Sequence, residues 1–510
     1  MPPHPAVVAP GADVPASVAA LAGAWEGTWS DGEDSVLVVF RLGPSAARVL
    51  LANGRYSAGR RPPWHGWAKA RVSSDPAPTL RWKSGPYAVS FALGPDGRLR
   101  GIDESPRERL EVVMRRRAVE ILAVAPDEHA FVCPSFQPLL SSIEGAADPS
   151  ERRARVDAVV AGARASGGPL TGPGTRPGVG CATFLWQGEA EEVALAGDMN
   201  GWSTAKDDLA RVPGTDLFHA SFELPDDARL DYKLLPDGKW SLDLLNPRTI
   251  LGGYGPNSEL RMPGYRPPPE VVRDPAVPAG TLETLVLRSS HLGNSRKARV
   301  YLPPGYAGGS DRYPVLYLHD GQDTLDFGAM DTVLDNLIAA KAIPPILAVM
   351  VPPVRREEEY RMSPAFEAFF VQEVVPAVDA RYRTRASPAG RAVGGISMGG
   401  TAALSLALGH PDVFGACIAQ SSSPGDQLVA LLDLARGRRR PAVSVWLDVG
   451  IFESDLHGWD LLDQSRRLRD DLAARGFRLR FLEVNEGHSW GSWRARMREA
   501  IAFIWGGAGP

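Results

Sequence analysis

The run Arg391-Ala392-Val393-Gly394-Gly395-Ile396-Ser397-Met398-Gly399-Gly400 constrains this chain more than any other stretch. Val393-Gly394 closes a short apolar run, a serine follows, and Thr401 to Leu408 is a strong helical segment ending at Gly409 and Pro411. Small residues two before and two after the serine permit a sharp, strained strand-to-helix turn that exposes a hydroxyl beside a helix N-terminus. Gly395 and Gly399 hold those positions, so the order strand, turn, helix reads as a nucleophile elbow with Ser397 at its apex. In a chain holding 53 glycines the pattern alone is permissive, and its surroundings decide.

Those surroundings alternate. From about 279 to 506, strand-like apolar runs at 315–318, 346–351, 392–394, 416–419, 443–449 and 479–484 are separated mostly by helical patterns, notably 364–382 and 459–475. This predicts a mostly parallel, doubly wound sheet covered on both faces, with function at its C-terminal strand edge.

A serine hydroxyl is a poor nucleophile at neutral pH, so it needs a base within hydrogen-bond reach and a third group to orient that base. The order expected after an elbow is serine, acid, histidine. Three histidines follow Ser397: His410, His457 and His488. His410 ends the elbow helix, whereas His488 sits just past the last strand in Asn485-Glu486-Gly487-His488-Ser489 and is preferred as the base. The acid is expected after the preceding strand, in Gly450-Ile451-Phe452-Glu453-Ser454-Asp455, with Glu453 favoured and Asp455 as the alternate. An oxyanion needs preorganised backbone donors. The amide of Met398 is one, and the turn Tyr317-Leu318-His319-Asp320-Gly321-Gln322 offers the other from Gly321 or Gln322, leaving His319 structural.

Upstream, residues 1–19 read as a disordered Pro- and Ala-rich tail. Residues 20–117 carry short alternating strands with turns at Asp31-Gly32, Asn53-Gly54 and Asp96-Gly97, a small all-β domain whose Trp25, Trp29, Trp64, Trp67 and Trp82 are assigned to packing. A helical connector is expected over 118–178, a second strand-rich segment over 179–265, a semi-rigid Pro-rich linker over 266–278 and the strand-helix domain over 279–506. The formal net charge of −4 gives no electrostatic reason for a nucleic-acid or anionic-membrane partner. The basic run Arg436 to Arg440 reads as a solvated loop. Cys133, Cys181 and Cys417 are widely spaced, so neither a disulfide framework nor a metal site is expected, and a cytoplasmic location fits the absence of an export signal or a long apolar span. No cofactor is called for, and oligomeric state is not legible.

Several features of the last domain resemble the putative-esterase branch of α/β-hydrolases, most closely the enterochelin (ferric enterobactin) esterase group. They are the His319-Asp320-Gly321-Gln322 turn, Arg356 with Glu359, the elbow, His410-Pro411-Asp412-Val413-Phe414-Gly415 with Gln420-Ser421, the Gly450-Ile451-Phe452-Glu453 loop, and His488 followed by Trp493-Arg494. The resemblance spans nearly all of 310–500 and implies an α/β-hydrolase domain, with Arg356, Trp493 and Arg494 as substrate-binding candidates. Residues 179–265 resemble glycogen-binding modules, which are immunoglobulin-like (E-set) sandwiches, through Gly197-Asp198-Met199-Asn200-Gly201-Trp202, Tyr232-Lys233, Gly238-Lys239-Trp240 and Gly255-Pro256-Asn257. That family's sugar-contacting positions fall on Trp202, Lys233, Trp240 and Asn257, although similar sandwiches also cap enterochelin-type esterase domains.

The leading expectation is a serine carboxylic-ester hydrolase acting on a small-molecule ester through an acyl-enzyme. The alternatives are a carbohydrate esterase (feruloyl or acetyl ester), an acyltransferase, and, in another class, a non-catalytic glycan-binding protein. The acyl and alcohol parts of the substrate are not encoded in these motifs.

Overall fold

The computed structural model describes residues 6–54, 64–84, 87–106, 108–119, 121–122, 131–436 and 443–506. The chain divides into two units: residues 1–248, 258–264 and 455–459 form one, and 249–257, 265–454 and 460–510 the other.

In the first unit, eight strands from Gly23–Thr28 to Arg109–Arg117 form a closed barrel, each paired with the next in sequence. Pairing of Ala24 with Arg117 closes it. The strand Asp34–Leu42 shows why this region reads as nearly continuous apolar sequence. Leu37 and Val39 enter the barrel core with Trp25, Phe91 and Met114, while Val36, Val38 and Phe40 on the opposite face are buried in a second cluster with Val7. Trp25 and Trp29 are core residues, Trp82 stacks on Phe91 at 5.7 Å, and Trp67 meets Phe40 edge-on at 5.4 Å. The side chain of Trp64 lies outside the described residues.

The tail expectation is corrected for residues 6–19. Val7–Val8 pairs with Ile121–Leu122, and Ala16–Ala19 is a helical turn that carries Val18, with Val14 just before it, into the barrel core. Two apolar side chains at the right spacing order a segment whose composition reads as Pro- and Ala-rich.

Two antiparallel sheets follow. One runs Leu170–Pro173, Val179–Gln187, Leu217–Pro225, Ala210–Arg211, and the other includes Asp207–Asp208, Val193–Gly197, Arg229–Pro236 and Gly255–Arg261. Phe184 of the first meets Tyr232 of the second at 4.8 Å. The amphipathic helix Pro149–Ser166, N-capped by Asp148 and closed by Gly167 in the left-handed region, buries Val156, Val159, Val160 and Ala163 beside Leu185 and Leu217. In the same cluster Cys133 and Cys181 form a disulfide with Cα atoms 5.8 Å apart, correcting the expectation that the widely spaced cysteines form no disulfide framework; Cys417 stays free and buried.

The second unit is built on an eight-stranded sheet. Its strands are β1 (Thr281–Ser289), β2 (Asn294–Leu302), β3 (Val315–Leu318), β4 (Leu347–Met350), β5 (Arg391–Ile396), β6 (Ala416–Gln420), β7 (Ser444–Gly450) and β8 (Arg478–Val484), in the order β1-β2-β4-β3-β5-β6-β7-β8. Only β1 and β2 run antiparallel to their neighbours. Alternate residues serve opposite faces: Tyr317, Val349, Val393 and Leu447 pack with Phe366, Phe370 and Leu404, while Leu316, Ala348, Ile418 and Trp446 pack with Val333, Leu337 and Met497. Part of the stretch expected as a semi-rigid Pro-rich linker over 266–278 is packed. Pro269–Val271 forms a helical turn, and Asn336 donates to the Glu270 carbonyl at 2.9 Å. Among the described residues, no helix is long and apolar enough to cross a membrane. The basic run 437–440 lies outside the described residues, as does the side chain of Arg436.

Candidate active site

Five chain segments that leave or enter the sheet at its C-terminal edge supply the site, following β3, β5, β6, β7 and β8. After β5, Ser397 adopts φ 54° and ψ −128°, a backbone state that costs a non-glycine residue free energy and is held by surrounding contacts. Its amide donates to the Gln420 carbonyl at 3.0 Å, and its carbonyl accepts from Gly400 at 3.0 Å and Thr401 at 3.2 Å. A Cβ at Gly395 would stand 2.4 Å from the Gly399 carbonyl group, so the turn closes only on glycine there.

The Ser397 hydroxyl lies 3.0 Å from Nε2 of His488, and Nδ1 of His488 lies 2.7 Å from the Glu453 carboxylate. With Nδ1 donating its proton to Glu453, Nε2 is left as an acceptor for the serine proton. Glu453 is fully buried. Its second oxygen accepts from Ser421 Oγ and from the Gly450 amide, each at 2.7 Å. Burial pushes the Glu453 carboxyl up, but the adjacent His488 and these hydrogen bonds outweigh burial and hold it below the ordinary range. The hydrogen-bonded chain therefore runs from a stabilised carboxylate through an oriented imidazole to the serine.

Met398 opens the helix Met398–Gly409, and Gln322 lies in the first turn of the helix Gly321–Asp326, where amides have no intrahelical acceptor. Gly321 is corrected as an oxyanion donor: its amide is taken by the Val351 carbonyl at 3.2 Å, leaving Gln322 from that pair.

The chain is similar to known families over most of its second half. Residues 289–504 match the Esterase family, described as "Putative esterase", and residues 181–255 match "Enterochelin esterase, N-terminal". The iron(III) enterobactin esterase of Dickeya dadantii is 25% identical over 392 residues, covering 64% of this chain and 88% of that protein. Residues 289–504 therefore form an esterase-family domain, and the chain is an enterochelin esterase-like carboxylic ester hydrolase. An endo-1,4-beta-xylanase/feruloyl esterase of Xylanibacter ruminicola is 31% identical over 150 residues, 27% of this chain but only 21% of that protein. A crystal structure of the enterobactin esterase from Shigella flexneri superposes with a TM-score of 0.56 at 21% identity, covering 66% of this chain and 96% of that one, and so shares its fold.

In this esterase the remaining candidates separate. Asp455 pairs with His65 at 2.7 Å and Lys206 at 2.8 Å, both residues of the first unit, to which 455–459 belongs, whereas His488 pairs with Glu453. Burial raises the Asp455 carboxyl, yet those two partners hold it below the usual range. His410 lies 3.5 Å from Glu367, and His457 falls in the same 455–459 segment as Asp455, so neither is the ring that meets Ser397. Arg356 grips Asp320 with two hydrogen bonds of 2.8 and 2.9 Å, and the Asp320 amide donates to the Tyr360 hydroxyl at 2.9 Å. Asp320 has φ 53°, so this clamp holds a strained turn directly before Gly321 and Gln322. Glu359, which the Arg-x-x-Glu spacing associates with Arg356, pairs instead with the buried Arg296 at 2.8 Å. His319 is buried among Tyr360, Phe366 and Phe370, and burial lowers its pKa to about 3, so it stays neutral.

Trp493 is buried, its indole nitrogen donating to Ser421 Oγ at 2.9 Å and its ring standing edge-on to His488 at 4.8 Å. It therefore backs the imidazole and presents no open wall to a substrate. Arg494 is half-buried beside Trp490, Gln420 and Ile418 in a narrow internal cleft. Of the glycan-binding candidates, Trp202, Lys233 and Trp240 belong to the first unit and Asn257 to the second. Trp202 packs against Ala194, Ala196 and Leu235 and donates to Asp198, whereas Trp240 is exposed. Gly201 is needed for another reason: a Cβ there would strike the Asp455 carbonyl oxygen at 1.7 Å. Ser421 and Asp320 stand within the motifs that carry the family resemblance, just past strands β6 and β3, but the sequence assigned neither a role of its own.

Proposed function

We propose that this protein is a serine carboxylic-ester hydrolase in which Ser397, His488 and Glu453 act as the triad. The observation that carries this reading is the hydrogen-bonded chain from Ser397 Oγ through both nitrogens of His488 to the buried Glu453. His488 takes the serine proton as Oγ attacks the ester carbonyl, and the oxyanion is received by the amides of Met398 and Gln322. His488 then protonates the departing alcohol, leaving the acyl group on Ser397. Water, deprotonated by the same imidazole, releases the acid and regenerates the serine.

We read the eight-stranded sheet as an α/β-hydrolase domain and the paired sheets before it as an immunoglobulin-like module in a capping role. A siderophore-type polyester is the favoured substrate, because similarity to an iron(III) enterobactin esterase extends over both the sheet domain and the module before it. A feruloyl ester is the second reading, favoured by the shorter match to the xylanase/feruloyl esterase. The test follows ferric enterobactin and methyl ferulate by mass-resolved chromatography with wild-type protein and Ser397→Ala. Linear trimer, dimer and monomer products that vanish in the variant support the first reading. Ferulate release alone moves the protein to the carbohydrate-esterase side. The Cys133–Cys181 disulfide favours an oxidising compartment over the cytoplasm. Protein from its native host, denatured without reductant, should then titrate as one free thiol.

A further inference from the structure

The carboxylate that orients His488 is itself held from behind. Ser421 follows β6 with φ 45°, and its amide donates to the Asp448 carbonyl at 2.7 Å. Its side chain, fully buried, donates to Glu453 at 2.7 Å and accepts from the Trp493 indole at 2.9 Å. The neighbouring Gln420 donates its side-chain amide to the Trp493 carbonyl at 3.0 Å and to Asp448 at 3.1 Å. Two consecutive residues at the end of one strand thus clamp Trp493 by its backbone and its ring, and Trp493 in turn packs edge-on against His488.

We propose that Ser421, polarised by Trp493, is a positioning residue that extends the triad: it fixes Glu453 in the rotamer that meets His488 and sets how strongly that carboxylate holds the imidazole proton. This rests on the triad reading above. Donation from the indole into Ser421 Oγ makes the hydroxyl a better donor, and donation from the hydroxyl spreads the charge of Glu453. In water a carboxylate shares its charge with solvent, but Glu453 has no exposed surface, so each of its few donors matters. The groups facing it are His488, Ser421 and the Gly450 amide, with the buried Arg496 acting at longer range while paired to Asp448 at 2.8 Å and lying 4.0 Å from Glu486.

Without the Ser421 hydroxyl, Glu453 keeps its charge more localised and pulls harder on the imidazolium. The acid limb of kcat/KM should then move to higher pH. The experiment measures pH profiles for 4-nitrophenyl butyrate hydrolysis by wild-type protein, Ser421→Ala, Trp493→Phe and Ser397→Ala, followed at a wavelength insensitive to nitrophenol ionisation. Ser421→Ala is expected to lower kcat about tenfold, the scale of one hydrogen bond to a charged group, with KM within about twofold and the acid limb raised by about half a pH unit. Trp493→Phe keeps an aromatic, though smaller, ring at this buried position, removes the indole donor, and should shift the limb in the same direction by less. A uniform loss at every pH, or an unmoved limb in both variants, overturns the proposal. If Ser421→Ala fails to fold, the limb of Trp493→Phe decides. Activity persisting in Ser397→Ala would instead sink the triad reading, so the two failures are distinguishable.

Discussion

At the scale of single residues, the geometry makes the roles of Ser397 and His488 inseparable. Each replaced by alanine should lose roughly a thousandfold or more in kcat, and the double variant should lose little beyond either single change, because one proton transfer fails in all three. Steady-state kinetics on a nitrophenyl ester checks this, and additive losses would contradict it. Glu453 carries a pH signature. Its folded-state carboxyl is held below the ordinary glutamate value of about 4.3, so its stabilising contribution is complete above that value and fades as pH falls through the lower folded value. The difference in unfolding free energy between wild type and Glu453→Gln should therefore be constant at neutral pH and shrink on acidification below about pH 4, read by urea titration. The choice between Glu453 and Asp455 was open at this scale: two carboxylates two residues apart on one loop carry the same chemistry, and only the loop's path decides which meets the histidine.

At the scale of elements, the strand-turn-helix around Ser397 was legible because its causes are local. Gly395→Ala forces a methyl group against the Gly399 carbonyl and should destabilise the fold by roughly 1–3 kcal/mol while displacing Ser397, so residual activity should fall further than stability does. The turn after β3 is a different case. Arg356 reads as a substrate-gripping cation, yet its guanidinium is engaged by Asp320. Arg356→Ala should therefore lower kcat by disordering the turn that carries Gln322, with KM little changed, and Arg356→Lys should fail to restore it because a single ammonium does not reproduce the two-pronged contact. A rise in KM at unchanged kcat would return Arg356 to the substrate. Nothing local in Arg-x-x-Glu spacing says that Glu359 turns to Arg296 on strand β2.

At the scale of the whole molecule, the disulfide is the least expected feature. It joins residues 48 apart, and its loss through Cys181→Ala should lower stability by about 2–4 kcal/mol under non-reducing conditions, with the barrel strands and the esterase sheet keeping their secondary structure by circular dichroism. The linear sequence determined the sheet-and-helix alternation, the elbow, the serine and the histidine, because hydrophobic period and turn chemistry act over a few residues. Tertiary structure decided which carboxylate, which amide, which arginine partner and which cysteines meet. Those pairings, such as Glu453 with His488, Arg356 with Asp320 and Cys133 with Cys181, join residues 35, 36 and 48 positions apart, and they depend on strand order and loop path, which no short window of sequence contains.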